Sequence, residues 1–286
     1  MELSIKNLTK VYGKKAVLNN ISLTMSNGIV GILAPNGAGK TTLLNILSTV
    51  STPSSGNVYL NRRDIFKMGE KYRNIIGYLP QNFGVYPSFT CEKFLTYFGV
   101  LKGISKQHID YKIDELLEIV SLKDVKKKKI KTLSDGMKRR MGIAQALLND
   151  PKILILDEPT ASLDPNERIK FRDFLIEISK SKLIILSTHI VSDLESTATN
   201  LVFIKNGQLL SHITPEEVLK ELEGKVFEVT TNLDELKELK KKYLVSHNIN
   251  RKNGIAVRII GEKPNNKGVI VEPNLEDAYI YHYKYL

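Results

Sequence analysis

Residues 34–42, APNGAGKTT, bring together the residue types that hold a phosphate chain. Gly37 and Gly39 let backbone amides turn toward an anion with no Cβ in the way. A helix beginning just after them offers unpaired N–H groups and a partial positive charge. Lys40 can reach outer phosphates, and the Thr41 hydroxyl is placed to ligate Mg²⁺. Asn36, Gly37, Ala38, Gly39, Lys40, Thr41 and Thr42 are therefore the candidate phosphate contacts. The pattern Gly-x4-Gly-Lys-Ser/Thr is met except at its first position, Ala34. Pro35 biases residue 34 toward extended geometry with negative φ, where alanine is unstrained.

A second group of candidates lies beyond residue 130. Residues 153–156 are a continuous apolar run closed by Asp157-Glu158-Pro159. Carboxylates at the carboxyl end of a parallel strand face the ligand crevice of an open α/β sheet. Asp157 suits holding a metal through its water shell, and Glu158 suits orienting or deprotonating an attacking water. Another apolar run, 183–186, ends in Ser187-Thr188-His189, which puts His189 on the same sheet edge. Taken alone, such a histidine is usually a satisfied loop residue. Ser134 reads as the N-cap of a helix reaching about residue 149, with Asp135 in its first turn. Tyr12 has a face able to stack on a purine, although by itself it reads as a packing residue. The single cysteine, Cys91, reads as small and unreactive and excludes an internal disulfide.

These side chains need strands and helices to bring them together. Residues 29–33 lead into the phosphate loop as a buried strand, and 41–48 lead out as a helix. Upstream, Leu3, Ile5 and Leu8 alternate as a strand, 16–24 form another, and Ser26-Asn27-Gly28 turn the chain. Downstream, 52–56 is a loop, and 57–60 and 75–79 are short strands, the second ending at Pro80-Gln81. The texture then becomes helical, with apolar spacing at Phe94, Leu95 and Phe98 and at Leu116, Leu117 and Val120. Residues from about 82 to 150 read as a helical insertion into an α/β domain. Residues 201–204 and 208–212 make a hairpin around Asn206-Gly207. Past Pro215 the reading is a helix at 216–222, a strand at 226–230 and a helix at 233–243. Strands at 255–260 and 269–271 and a last helix at 274–283 complete a small α/β unit. It shows no catalytic constellation, and Lys237, Lys240, Lys241 and Lys242 read as a solvated helix face.

With 286 residues, 42% hydrophobic and 26% charged, the chain has the makeup of a globular protein with one large domain and a small one. Its longest apolar stretches are strand-sized, so no transmembrane helix is expected. Residues 1–10 alternate like a strand rather than a signal peptide. A net charge of +11 admits nucleic acid, an anionic membrane surface or an acidic partner. The densest basic run, 126–131, has no interleaved aromatics and reads first as a solvated loop and second as a membrane-facing segment.

In their order these stretches resemble the nucleotide-binding subunit of an export-type ATP-binding cassette (ABC) transporter, over about residues 1–212. In that resemblance 34–42 is the phosphate loop, Gln81 the lid glutamine, 133–137 the signature motif and 153–158 the second Walker motif with its glutamate. Residues 161–164 match the loop that communicates across the dimer, and His189 the switch histidine. The resemblance implies an α/β fold: a P-loop NTPase core with an inserted helical subdomain and a small C-terminal α/β unit. The ATPase domain would cover 1–215, its helical subdomain about 82–150, and the small domain 222–286. ATP and Mg²⁺ follow as cofactors, with Glu158, His189 and Gln81 catalytic, Thr41, Gln81 and Asp157 around the metal, and Tyr12 beside the purine. Two chains, identical or paralogous, would pack head to tail, Ser134 and Gly136 covering the γ-phosphate on the other copy's loop. Separate transmembrane permease chains would dock a helix near 86–94, with no nucleic-acid partner. The subunit would sit peripherally on the cytoplasmic face of the cell membrane, driving export of a peptide or drug. Residues 272–277 are similar to the C-terminal extension of such subunits.

Two departures stand out: Asp135 replaces the first glycine of the usual Leu-Ser-Gly-Gly, and Met137 the usual glutamine. An aspartate near a γ-phosphate is repulsive unless it turns away or pairs with Lys138 or Arg139. The expectation is normal nucleotide binding with slow or partner-dependent hydrolysis. The alternative class is the soluble cassette ATPase acting on ribosomes or DNA. It usually carries two cassettes or a long coiled-coil insertion; here there is one cassette and no sustained heptads. A non-hydrolysing nucleotide sensor, a third reading, has no need of Glu158 and His189.

Overall fold

The computed structural model describes residues 1–264 and 268–284. They divide into two compact units, Met1–Ile190 with Thr197–His212, and Val191–Ser196 with the chain from Ile213 onward. Positions 265–267 and 285–286 of the expected C-terminal unit lie outside the described residues.

The first unit opens with β1 (Glu2–Tyr12) and β2 (Lys15–Ser26), an antiparallel pair. β3 (Gly28–Leu33) is buried at every position, as a central strand covered on both faces must be. Then come α1 (Lys40–Leu47), β4 (Ser55–Leu60), β5 (Arg63–Asp64), α2 (Ile65–Met68), α3 (Glu70–Arg73) and β6 (Ile76–Leu79). The helical block is α4 (Cys91–Leu101), α5 (Lys106–Ile119) and α6 (Asp135–Leu147). β7 (Ile153–Asp157), α7 (Pro165–Ser179) and β8 (Leu183–Ser187) follow. The short helix α8 (Val191–Glu195) belongs to the second unit, and β9 (Asn200–Lys205) and β10 (Gln208–Ile213) finish the sheet of the first.

Two sheets result, β2-β1-β4-β5 and β10-β9-β3-β8-β7-β6. α1 lies between them, burying Leu43, Leu44, Ile46 and Leu47 in one core with Leu3, Ile5, Val30 and Ile185. In the second sheet β3 pairs in parallel with β8 and β9, and β7 with β6 and β8. The register sets Ile32 and Asp157 on either side of Ser187. The phosphate loop, the Asp157-Glu158 pair and the segment leading to His189 thus leave the sheet at one edge, as such a fold requires of its ligand crevice.

The helical block is tied to this sheet through α6. A Cβ on Gly77 of β6 would lie 2.2 Å from the Ala146 carbonyl oxygen, and one on Gly142 would lie 2.6 Å from Leu79 Cδ1. Glycine at both places is what allows helix and strand to approach so closely. The lysine run differs from a solvated loop in one respect. Lys126 bonds Asp114 at 2.8 Å and Glu92 at 3.2 Å. The carbonyls of Lys126 and Lys128 accept the Glu92 and Cys91 amides at the start of α4. Lys127, Lys128, Lys129 and Lys131 are exposed, as expected. Cys91 is fully buried, and burial pushes its thiol pKa up, in keeping with an unreactive packing residue.

The second unit contains α9 (Pro215–Lys220), β11 (Val226–Thr231), α10 (Leu233–Lys242), β12 (Leu244–Arg251), β13 (Gly254–Ile260), β14 (Val269–Ile270) and α11 (Leu275–Lys284). Its sheet, β12-β13-β11-β14, is antiparallel and packs Val229, Val257 and Ile259 with Leu236 of α10. Lys237, Lys240, Lys241 and Lys242 are exposed on α10. α11 is anchored by the buried Asp277, which pairs with Arg258 at 2.6 Å and accepts the Ser246 hydroxyl. The Leu275 amide donates to Glu195 of α8 at 3.1 Å. β12 and α7 are elements that the sequence reading left out.

Gly77→Ala should therefore destabilise the chain by about 1–3 kcal/mol, the usual cost of overpacking. Urea unfolding of the two proteins checks this. An unchanged midpoint would mean that the α6–β6 contact relaxes freely.

Candidate functional site

The loop between β3 and α1 takes its shape from two glycines at positive φ, Gly37 at 78° and Gly39 at 105°. Gly39 is needed twice over, because a Cβ there would also lie 2.6 Å from Leu18 Cδ2 and 2.8 Å from the Val17 carbonyl. Around Gly37 there is only open space. Gly39 is the N-cap of α1 and no side chain caps the helix, so its first amides keep their capacity for an anion. Ala34 is absent from the positive-φ residues, which is why alanine serves there. Ala38 is buried, and its amide donates to the Pro35 carbonyl within the loop itself.

Lys40 is the cation of the site. It is 9% exposed, and its Nζ curls back onto the Ala34 carbonyl at 2.5 Å. Burial lowers its pKa, while Glu158 and Asp157 pull it back up. Beside it the Thr41 hydroxyl donates to Asp157 Oδ2 at 2.8 Å. A cavity of about 380 Å³ runs over the loop, lined by Asn36, Gly37, Gly39, Lys40, Thr41, Thr42, Gln81, Asp157 and Glu158 together with Val17 and Pro35.

Glu158 turns out of β7 with φ at 54°, unusual for a residue with a side chain. Its amide donates to the Ser187 carbonyl at 2.8 Å. Its carboxylate meets His189 Nδ1 at 2.6 Å and accepts the His189 amide at 3.2 Å. The Glu158 side chain is nearly buried, whereas the His189 ring is 60% exposed. A second cavity, of about 420 Å³, is lined by both of them with Asn36, Gln81, Arg139, Ala161 and Ser162. Glu158, Gln81 and Asn36 line both cavities. Backbone strain of this kind, at a carboxylate aimed into a cleft, points to a functional site.

Arg139 is the residue that sequence reasoning assigned elsewhere. It was considered as a partner for Asp135, but Asp135 bonds Lys138 at 2.9 Å and Arg139 turns inward. Its Nη1 donates to the Pro80 and Gln81 carbonyls, both at 2.8 Å, and its Nη2 donates to the Asp157 carbonyl. Burial lowers its pKa, against the opposing pull of Asp157, Glu158 and Tyr78. Helical spacing held the signal: position 139 shares a face with the buried Gly142, Ile143 and Ala146.

Four expected site residues stand apart from both cavities, the buried Ala38 and three others. Tyr12 is half-exposed at the end of β1, with Lys10 Nζ 5.0 Å from its ring centre, and is not a lining residue. Ser134 is exposed and caps α6 by accepting the Met137 amide at 3.2 Å. Gly136 lies against the 161–164 turn, where a Cβ would come within 2.4 Å of the Ser162 carbonyl.

Comparison with known proteins places this geometry in a family. The family model described as ABC transporter matches residues 18–161. An uncharacterised ABC transporter ATP-binding protein of Bacillus subtilis, YxlF, is 40% identical over 79% of this chain and 75% of its own. Nod factor export ATP-binding protein I of Cupriavidus metallidurans is 36% identical over 76% of this chain and 72% of its own. Among solved structures, a dimeric ATP-binding cassette in a post-hydrolysis state, bound to ADP and Pi, matches with a TM-score of 0.69 and 25% identity. That match spans 74% of this chain and 98% of the other. With its phosphate loop, strand-end carboxylates and P-loop NTPase fold, the chain belongs to the ABC transporter family, as one of its ATP-binding ATPase subunits.

Proposed function

We infer that this ATPase uses MgATP held on the phosphate loop to drive export through separate membrane-spanning chains, working as a head-to-tail pair of cassettes. The observation that carries the reading is the 2.6 Å Glu158–His189 contact at the rim of the cavity that Lys40 and the loop amides line. In this reading the open amides of the 36–42 loop, the Ala38 amide being held by the Pro35 carbonyl, and Lys40 bind the β- and γ-phosphates. Thr41 would ligate Mg²⁺, and Asp157 and Gln81 would hold it through its waters. Among the described residues no group of three or more His, Cys, Asp or Glu could hold a metal ion, and Mg²⁺ usually completes its shell with substrate phosphates and water. Bound there, Mg²⁺ supplies charge neutralisation at the phosphates. Glu158 orients the attacking water and takes its proton as the water oxygen bonds to the γ-phosphorus and the bond to the bridging oxygen breaks. His189, held at Nδ1 by Glu158, keeps Nε2 for the phosphate. Tyr12, half-exposed at the end of β1, would stack on the purine.

The pairing of two cassettes gives Ser134 and Gly136 their use, each α6 covering the γ-phosphate on the other copy. ATP then binds the closed pair better than the open one, the differential affinity that any ligand-driven switch needs. The dimeric cassette among its structural relatives supports this, and the Nod factor export protein among its sequence relatives supports export. No helix among the described residues is long and apolar enough to cross a membrane, so the spans belong to other chains in this reading. Their docking helix would use the aromatic patch of Tyr86, Phe89, Phe94 and Tyr97, where Tyr86 and Tyr97 are exposed. The subunit would then lie peripherally on the cytoplasmic face. We assign residues 1–215 to the ATPase domain and 222–286 to an accessory domain of unassigned role.

Three substitutions test these roles. Lys40→Ala should weaken ATP binding about 10–100-fold, the worth of a charge-assisted hydrogen bond pair, and reduce ATPase to background. Binding of a fluorescent ATP analogue and phosphate release read both. Glu158→Gln should keep MgATP binding and pair in its presence by size exclusion, while turnover falls about 10²–10⁴-fold. Full turnover in that variant would remove Glu158 from the role of base. Asp135→Gly should raise the rate about 2–10-fold, because Lys138 offsets only part of the repulsion from an exposed carboxylate. An unchanged rate rules out the electrostatic argument.

A further inference from the structure

The lid residue Gln81 and the strand-end residue Asp157 lie on different loops, and one side chain holds the backbone of both. Arg139 is 8% exposed, and its donors go to three carbonyls, two on the 80–81 turn and one at the end of β7. Its Nε–H is buried with no hydrogen-bond partner among the described residues. A buried guanidinium of this kind is a poor device for stability, since the loss of hydration offsets much of what its bonds return. Its rigid, planar donor fork is a good device for fixing the distance between acceptors.

The helix carrying it is equally constrained. α6 touches the lid side of the sheet at Gly142, against Leu79 and Phe83, and at Ala146, against Gly77. Both are backbone-close contacts that leave no room for sliding. Residues 77–83 and α6 are therefore packed as one block, with Arg139 at the end next to Gln81. One turn earlier on the same helix are Ser134 and Asp135, both exposed, and Gly136, which packs on the Ser162 carbonyl.

We propose that Arg139 is a positioning residue that sets Gln81 against Asp157 and passes displacements of the start of α6 to that pair. This rests on the reading above in which Gln81 and Asp157 approach Mg²⁺ through its waters. Contact at Ser134 from a second copy's nucleotide then adjusts the metal site of the same chain that supplies Ser134. Loading of one site is thereby reported to the other without any new contact to nucleotide.

The test uses the full chain with Arg139→Gln, Arg139→Lys, Gln81→Ala and the double variant Arg139→Gln/Gln81→Ala. Steady-state ATPase is measured against free Mg²⁺ at saturating ATP, and binding of a fluorescent ATP analogue separately. Because Arg139 does not line the phosphate-loop cavity, analogue affinity in Arg139→Gln should stay within about three-fold of the parent. The Mg²⁺ concentration for half-maximal rate should rise about five-fold or more and the maximal rate fall about ten-fold, with Arg139→Lys recovering part of both. Gln81→Ala should raise the same Mg²⁺ requirement, and the double variant should be no worse than Gln81→Ala alone, as for residues acting in series. An unchanged Mg²⁺ requirement in Arg139→Gln, or additive effects in the double variant, overturns the proposal. If Gln81→Ala itself leaves the requirement unchanged, the assignment of Gln81 falls and the proposal falls with it. Should the Arg139 variants not fold, amide exchange on Glu158→Gln carries the test. Residues 79–83 and 135–142 should slow together when MgATP is added, and slowing of one segment alone overturns the coupling.

Discussion

Everything at the site depends on how β7 and β8 end. Their parallel register sets Asp157 beside Ser187, and the Glu158 amide closes the pair by bonding the Ser187 carbonyl. From that bond the chain has to turn, and it does so by placing Glu158 at positive φ. The turn throws its carboxylate toward the residue two places beyond Ser187, which is His189. Asp157, one place earlier, keeps its strand alternation and faces Thr41 instead. A slip of one residue in this register would exchange the faces of the two carboxylates and separate each from its partner. The buried, apolar character of residues 153–156 and 183–186 is what fixes the register.

The electrostatics then follow from crowding. Lys40 and Arg139 are buried cations within influence of two buried carboxylates, and desolvation works against both cations. A phosphate chain entering over the loop meets Lys40 and open amides first, yet it must also approach Asp157 and Glu158. A divalent cation between the two sets of negative charge would relieve that repulsion, and Thr41 and Asp157 face each other beside the loop.

The parts legible in the sequence were those written in local pattern. The phosphate loop needs glycine at two positive-φ positions and a lysine and threonine after them, and all of these are consecutive in the chain. The continuous apolar runs of β3, β7 and β8 are equally local, and they carry Asp157, Glu158 and His189 to one edge. What was missed depends on partners distant in sequence. Arg139 looks like any surface arginine until its three carbonyls, up to 59 positions away, are known. β12 has almost no apolar periodicity because most of its residues face solvent, so its strand character comes from pairing with β13. α7, by contrast, did announce itself, with Asp164 as N-cap and Pro165 at its first position. Asp164 closes the 161–164 dimer-loop match, and that match drew attention from the helix it caps. Tyr12 lies outside both cavity linings, half-exposed at the end of β1 beside Lys10.

α6 shows how one helix meets several demands that conflict on their face. Its start is exposed, with Ser134 capping it and Asp135 and Lys138 paired on the surface. Its middle must hold a charge against the lid and the strand end, so Arg139 is buried at the cost of its hydration. Its far half must press on β6, and only glycine at 77 and 142 permits the distance. Replacing the small residues with larger ones would loosen the helix from the sheet while leaving its exposed start intact. In the proposed coupling, the two ends of α6 would then respond independently, so close packing, rather than any residue touching nucleotide, is what would make them parts of one device.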